Sequence, residues 1–192
     1  MYPSTLEPGP HQVVLGLGNV LMGDDAFGPH VIRRIQAAYG FGPQALLIDA
    51  GTPGFDIASL IVGSSALIAV DTVIAEGAPG ELRLYRRDEI LARPLSSRAN
   101  AHGSWLREAL LTLQLLGSGP ASTLLIGVIP STVAPRTQLS PAVRGALWRA
   151  EVEVIREMIR LGQRPRLIWP PRQPDIWWER RYATERPPAR DR

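Results

Sequence analysis

Apolar runs of four to seven residues alternate along this chain with segments in which apolar residues recur at helical spacing. Because glycine, proline or polar residues bound each run, the runs predict buried strands at 13–17, 45–48, 66–70 and 122–128. Alternating apolar and polar residues predict a further edge or antiparallel strand at 80–86. Helical spacing predicts helices at 55–61, 104–116 and 141–161, and a first helix that begins after Asp24 or Asp25 and ends at Gly40. Strands that alternate with helices are typical of a mostly parallel sheet covered on both faces, so the sequence predicts a three-layer α/β/α sandwich.

The same periodicity predicts which side chains are buried. The helix at 104–116 is expected to bury Leu106, Leu110, Leu113 and Leu116. In the strand at 80–86, Leu82 and Leu84 are expected to point inward. The last helix has the clearest end signals: Ser140 as N-cap, Pro141 at its first position and Gly162 just past its end. Its predicted core stripe is Val143, Leu147, Ala150, Val154, Met158 and Leu161.

The 192 residues suit one domain with a full-sized core. Residues 1–10 are expected to be loose, residues 11–162 to form the α/β domain, and residues 163–192 to form a tail rich in proline, arginine and tryptophan. This tail carries 8 of the 21 basic residues and 4 of the 18 acidic ones, which leaves 13 against 14 for the rest of the chain. The folded part therefore shows no basic face for nucleic acid. The composition of the tail suits a solvated extension or docking on a partner.

Two absences narrow the chemistry. The chain has no Cys, and all 21 of its basic residues are Arg. Disulfides, thiolate nucleophiles, Cys-based zinc sites and lysine catalysis are therefore excluded. No apolar run is long enough to cross a bilayer, and the N-terminal residues lack the pattern of a secretory signal, so we expect no membrane insertion and a cytoplasmic location.

In a parallel sheet, ligands gather outside the carboxyl ends of the strands. The first such loop, Gly16-Leu17-Gly18-Asn19-Val20-Leu21, lacks the third glycine of a dinucleotide-binding fingerprint. Asp24 and Asp25 then follow at a helix N-terminus, and their negative charges would repel a phosphate bound there. One of the two is expected to cap the helix and the other to face the cleft.

A second carboxylate, Asp71, follows five apolar residues at the end of a predicted buried strand. An ionised group there is costly unless it is paired, hydrogen-bonded or bound to metal. Either it accepts backbone hydrogen bonds in the following turn, or it serves a site in the cleft.

The three histidines differ in their surroundings. His11 lies in the loose N-terminal region, His30 is expected on a solvated or partly packed face of the first helix, and His102 lies in a polar loop just before a helix. Together Asp25, Asp71 and His102 would form a site of two carboxylates and one imidazole, which accepts zinc, nickel or a similar divalent ion. Such a metal polarises a carbonyl and activates water. The chain contains no Gly-x-Ser-x-Gly elbow and no His-Glu-x-x-His zinc helix.

Five short motifs follow one another between residues 13 and 161. They are Gly16-Leu17-Gly18-Asn19-Val20-Leu21 with Asp24-Asp25-Ala26-Phe27-Gly28, then Asp49-Ala50-Gly51-Thr52, Val70-Asp71, Ala101-His102-Gly103 and Gly127-Val128-Ile129-Pro130. In this order they resemble the nickel–iron hydrogenase maturation endopeptidases. The Asp49 motif departs from the family's Asp-Gly-Gly-Thr loop by one Ala, and some members of the family have Glu where this chain has Asp25.

The resemblance implies a helix-sandwiched sheet of the phosphorylase/hydrolase-like type. It also implies an endopeptidase, aspartic or metal-dependent, that removes a C-terminal extension from the hydrogenase large subunit after nickel insertion. The family's metal-binding residues match Asp25, Asp71 and His102, which would then be both catalytic and metal-binding. The nickel would come with the large-subunit precursor, and zinc or cadmium could substitute. The Asp49 loop would shape the cleft and contact the substrate, with no chemical step of its own.

Two other functions fit the same residues. The first is a non-proteolytic chaperone or metal-sensing module that holds a metalloprotein precursor. The second is a small-molecule hydrolase with its own bound divalent ion, which predicts stable, stoichiometric metal in the purified protein.

Overall fold

A five-stranded sheet forms the centre of the molecule, with strand order β3-β1-β4-β6-β5. The computed structural model describes residues 11–52, 57–92 and 101–180, with side chains from residue 105 onward in the last range. Four strands of the sheet are parallel and the edge strand β5 is antiparallel to β6. The strands are β1 Gln12–Leu17, β2 Tyr39–Gly40, β3 Ala45–Gly51, β4 Ala66–Thr72, β5 Leu82–Arg86, β6 Ser122–Val128 and β7 Arg166–Leu167, of which β2 and β7 form a separate antiparallel pair. The predicted mostly parallel sheet is confirmed.

Helices cover both faces of this sheet. They are α1 Phe27–Ala38, α2 Ile57–Ile61, α3 Arg87–Ala92, α4 Ala101–Leu115, α5 Pro141–Arg144 and α6 Leu147–Arg160, with 3₁₀ turns at Gly23–Ala26 and Trp177–Glu179. Alternate strand residues feed two apolar clusters: Val14 and Ile68 pack with α1, α5 and α6, whereas Val13 and Leu67 pack with α2 and α4. The three-layer α/β/α sandwich is therefore confirmed. No helix in the described part of the chain has the length and apolar character needed to span a membrane.

The start of α1 lies unusually close to the sheet. A Cβ atom on Gly28 would overlap the backbone of β1 at Leu17 and of β4 at Val70, and one on Gly16 would overlap the backbone of Gly28. Only glycine at both positions permits this approach. The close packing brings the turn that precedes α1 directly over the carboxyl ends of β1 and β4.

Two of the predicted burial patterns are wrong in part. Leu84 is 46% exposed, and Tyr85 on the opposite side of β5 packs into the cluster with α2 and α4. The reason is that α6 packs mainly against β4 and β6, and Leu84 on the edge strand joins neither apolar cluster. Leu116 is 70% exposed because α4 ends at Leu115 and Gly117, with a positive φ, turns the chain away. The remaining predicted core leucines of α4, Leu106, Leu110 and Leu113, are buried.

Three helix boundaries also differ from prediction. The last helix is divided into α5 and α6 around Gly145, although Ser140 does cap it through a hydrogen bond to the Val143 amide. Helix α1 ends at Ala38, because the next residues join β2. Helix α4 begins at Ala101, so His102 lies in its first turn instead of in the preceding loop.

The chain beyond α6 returns to the domain. Strand β7 pairs with β2, and the Trp178 side chain is buried against His30, with ring centroids 5.1 Å apart at nearly perpendicular planes. At Trp178 the segment is therefore packed and not a solvated extension. The prediction that His30 lies on a solvated or partly packed face is wrong for the same reason: this contact buries it.

Candidate functional site

Two of the three sequence-predicted site residues meet at the carboxyl edge of the sheet. Asp71 is the penultimate residue of β4 and is 3% exposed. Asp25 lies in the 3₁₀ turn that links β1 to α1 and is 9% exposed. The predicted position of Asp71 at the end of a buried strand is thus confirmed, and the close approach of α1 places Asp25 beside it.

Defined hydrogen bonds hold Asp25 in this position. Its Oδ2 accepts from the backbone amide of Asn19 at 2.8 Å, and its Oδ1 accepts from the Thr72 hydroxyl at 3.1 Å. The Asn19 bond closes the glycine-rich loop after β1 onto the carboxylate. That loop therefore serves as a scaffold for an acid, as the sequence indicated.

Asp71 is oriented by the residue that follows it. Its Oδ1 accepts from the backbone amide of Thr72 at 2.7 Å. Thr72 is 4% exposed, so this contact is shielded from water. Thr72 thus touches both carboxylates, a link that sequence reasoning missed. The available signal was a hydroxyl residue directly after an acid at a buried strand end.

The neighbouring acid, Asp24, has a different environment. It is fully buried, and it accepts hydrogen bonds from the amides of Ser131, Thr132 and Ser140 and from the Ser140 hydroxyl, at 2.6–3.0 Å. These contacts tie the 3₁₀ turn to the chain between β6 and α5. The expectation that one of the two aspartates caps α1 is wrong, because the N-cap of α1 is Ala26 and has no side-chain capping bond.

His102, the third predicted ligand, lies in the first turn of α4, but its side chain is outside the described residues. Within the part of the chain that the structure describes, no cluster of three His, Cys, Asp or Glu side chains could hold a metal. The assignment of Asp25, Asp71 and His102 as a metal-binding set therefore stays a prediction. The donor chemistry of the two described members, carboxylate oxygen, suits a divalent cation.

The other candidate residues have structural partners. Asp49 on β3 accepts a hydrogen bond from Arg33 Nε at 3.1 Å, and Arg33 Nη2 lies 3.0 Å from the same carboxylate oxygen, so the two residues form an ion pair at the edge of the sheet. His30 Nε2 accepts a hydrogen bond from the Trp178 indole at 3.2 Å. Burial lowers the pKa of His30 to about 4, although the negative charge of Glu179 acts to raise it. The ring is therefore neutral at pH 7. His30 belongs to the packing of the C-terminal segment.

With this geometry, the comparison with known proteins is decisive. The family model for hydrogenase maturation protease matches residues 29–157, more than half of the chain. This chain belongs to the hydrogenase maturation protease family. It is 31% identical over 151 residues to the hydrogenase expression/formation protein HupD of Rhodobacter capsulatus, covering 78% of this chain and 72% of that protein. It is 27% identical over 151 residues to the hydrogenase 2 maturation protease of Escherichia coli K12, covering 78% and 92%.

Solved structures agree with the sequence relatives. The hydrogenase maturating endopeptidase HybD from E. coli superposes with a TM-score of 0.75 at 25% identity, over 82% of this chain and 97% of that one. A hydrogenase 2 maturation peptidase from a Thaumarchaeota archaeon superposes with a TM-score of 0.59 at 30% identity, over 79% and 98%. The predicted family and fold are confirmed. As a member of this family, the chain is a peptide hydrolase, and the chaperone alternative is not favoured.

Proposed function

We propose that this hydrogenase maturation protease removes the C-terminal extension of a large-subunit precursor that already carries nickel. In this proposal Asp25, Asp71 and His102 bind the nickel of the substrate and thereby place the scissile junction in the cleft. The observation that carries the proposal is the pair of buried carboxylates at one sheet edge, both in contact with Thr72.

The charge and burial of the pair favour the binding of a cation. Two carboxylates that are 9% and 3% exposed lose much of their hydration, and their like charges repel. A divalent ion brought by the substrate would offset both costs at once. Since the gain appears only when nickel is present, the same site would distinguish a loaded precursor from an empty one. Zinc or cadmium could occupy the same oxygen and nitrogen ligands.

The hydrolytic step follows from the residues that the chain contains. With no Cys and no Lys, attack by a thiolate or a lysine amine is excluded, and we assign the role of nucleophile to water. A carboxylate of the pair would accept the proton of the attacking water and return it to the leaving amine, and the nickel carried by the substrate would supply Lewis-acid polarisation of the junction carbonyl. Asp25 and Asp71 thus orient the substrate and supply the base, which gives a metal-dependent reaction at an aspartate pair. We propose that the reaction takes place in the cytoplasm.

The test compares two substrates and five proteins. Nickel-loaded and nickel-free precursors are incubated with the wild-type protease and with Asp25→Asn, Asp71→Asn and His102→Ala, and shortening is followed by mass spectrometry. We expect the wild type to cleave only the loaded precursor and the three variants to lose at least 100-fold in rate, the upper range for a lost metal-site contact. Glu153→Gln, on the outer side of α6 and paired only with the exposed Arg156 among described residues, is the matched control and should cleave normally.

Two results would contradict the proposal. Equal cleavage of both precursors would show that substrate recognition does not require nickel. Normal cleavage by any of the three variants would remove that residue from the site. Metal analysis of the purified protease adds an independent measure, because a substrate-borne nickel predicts little bound metal and a small-molecule hydrolase predicts one ion per chain.

A further inference from the structure

Thr72 contacts both proposed metal-binding carboxylates through different atoms. It is the last residue of β4, and it pairs with Val128 of β6 in the parallel register. Its backbone amide donates to Asp71 Oδ1 at 2.7 Å, and its hydroxyl donates to Asp25 Oδ1 at 3.1 Å. A single residue therefore connects an acid of the sheet with an acid of the turn before α1.

We propose that Thr72 is a positioning residue that sets the orientation of Asp25 relative to Asp71. The inference rests on the proposed function, because it assumes that both carboxylates bind the substrate's nickel. Asp71 keeps its place through the backbone of β4, whereas Asp25 reaches the pair from a separate loop. The Thr72 hydroxyl is the described contact through which the sheet fixes the Asp25 carboxylate.

The side-chain type suits this role. A β-branched residue has restricted χ1 rotation, so a hydroxyl on Thr is held in one direction more firmly than a hydroxyl on Ser. Thr72 is 4% exposed, so water does not compete freely for its hydrogen bond. Asp25 also accepts from the Asn19 amide at 2.8 Å, a contact within the loop that precedes α1.

The two bonds can be separated by substitution. Thr72→Val removes the hydroxyl and keeps both the volume and the backbone amide that holds Asp71. Thr72→Ser keeps the hydroxyl with a smaller side chain. Partners that orient a metal ligand contribute about 10–100-fold in metal affinity or activity, so this is the loss expected for Thr72→Val. Thr72→Ser should retain most of the wild-type value.

Thr123 supplies a matched control for a buried threonine. It is 2% exposed on the neighbouring strand β6, near the opposite end of the sheet, and its hydroxyl has no hydrogen-bond partner among the described residues. Thr123→Val therefore makes the same chemical change, at similar burial, without touching the carboxylates. It should cleave and bind metal like the wild type.

The experiment measures two quantities on each variant at equal folded fraction, checked by thermal unfolding. The first is kcat/KM for the nickel-loaded precursor, and the second is the dissociation constant for Cd²⁺ from calorimetric titration of the purified protease. The inference requires both to worsen by about 10–100-fold in Thr72→Val and to recover in Thr72→Ser. Unchanged values in Thr72→Val, or equal losses in Thr72→Ser and Thr123→Val, would overturn it.

The aspartate variants separate this inference from the proposed function. If Asp25→Asn and Asp71→Asn cleave normally, or if the wild type binds no Cd²⁺, the metal-binding set itself is wrong. If the aspartate variants are inactive while Thr72→Val is fully active, only the role of Thr72 is wrong.

Discussion

Replacing Asp24 by Asn removes one charge from a fully buried position without changing the size of the side chain. In the structure, Oδ2 of Asp24 accepts from the amides of Ser131 and Thr132 and from the Ser140 hydroxyl, while Oδ1 accepts from the Ser140 amide. An Asn with its oxygen at the Oδ2 position keeps three of these bonds as neutral ones. Its amide group then faces the Ser140 amide at a distance of 2.6 Å, donor against donor.

The expected loss of stability follows from these four contacts. A hydrogen bond to a charged group contributes about 1.5–3 kcal/mol and a neutral one about 0.5–1.5, so three conversions cost roughly 3 kcal/mol. The unsatisfied Ser140 amide adds about 1–3 kcal/mol, and relief from burying a carboxylate offsets part of the sum. We expect a net loss of about 3 kcal/mol, which is a large part of a typical stability of about 5–15 kcal/mol.

Urea unfolding, followed by tryptophan fluorescence, measures this loss. With a denaturant slope of about 2 kcal/mol per molar, the midpoint of Asp24→Asn should fall by about 1.5 M. Asp25→Asn is the matched control. Asp25 accepts from the Asn19 amide and the Thr72 hydroxyl and lies near a second carboxylate, so its substitution should cost about 1 kcal/mol or less. Cleavage should show the opposite order when it is measured at a temperature where both variants are folded. Asp25→Asn should then be inactive and Asp24→Asn active.

An unchanged midpoint for Asp24→Asn would refute the reasoning that its four bonds stabilise the fold. An inactive but normally stable Asp24→Asn would refute the division of roles between the two acids.

Three further predictions concern other buried polar groups. Thr123→Val should raise the free energy of unfolding by about 1 kcal/mol, measured in urea, because it removes a buried hydroxyl that has no partner among the described residues. Burial lowers the pKa of His30 to about 4, so the contribution of neutral His30 to the free energy of unfolding is fully present above pH 6.5 and is lost as the pH drops toward 4. The expected loss at pH 5 is about 2 kcal/mol, and His30→Gln should remove this pH dependence. Although burial raises the pKa of Glu157, hydrogen bonds from Arg160 and Arg86 lower it to about 2. Glu157→Gln should therefore lower the free energy of unfolding by about 1–2 kcal/mol at pH 7, a small value because solvent screens the half-exposed Arg partners. The difference in stability from wild type should vanish as the pH falls from 4.5 to 2.

The sheet could be predicted because its signals are local. Each buried parallel strand is a short apolar run, and a run such as 66–70 needs no knowledge of its neighbours to be recognised. Burial at the margins could not be predicted in this way. Leu84 and Leu116 carry the right periodicity, but their exposure depends on where α6 passes and where α4 ends. Periodicity identifies the buried face of a helix or strand, whereas tertiary packing decides which residues on that face are shielded from solvent.

The same distinction holds for the candidate site and its neighbours, because some contacts could be predicted from the sequence and others could not. Asp71 could be located from the sequence, since a carboxylate after five apolar residues must lie at a strand end. The contact of His30 with Trp178 could not, because the two residues are 148 positions apart and neither has a local pattern that points to the other. Thr72 falls between these cases: its position was visible, and its partner in the turn before α1 was not.

The pair Asp24-Asp25 shows why the sequence offers two neighbouring acids although the proposed site includes only one of them. Consecutive residues in a 3₁₀ turn point about 120° apart, so two neighbouring side chains cannot serve the same cleft. In this turn Asp24 points toward the chain between β6 and α5, and Asp25 points toward β4. The first acid fixes the turn from one side by four hydrogen bonds, and Thr72 fixes the second acid from the other. The Asp24 bonds therefore stabilise the turn, whereas the Thr72 bond fixes the Asp25 carboxylate relative to the sheet.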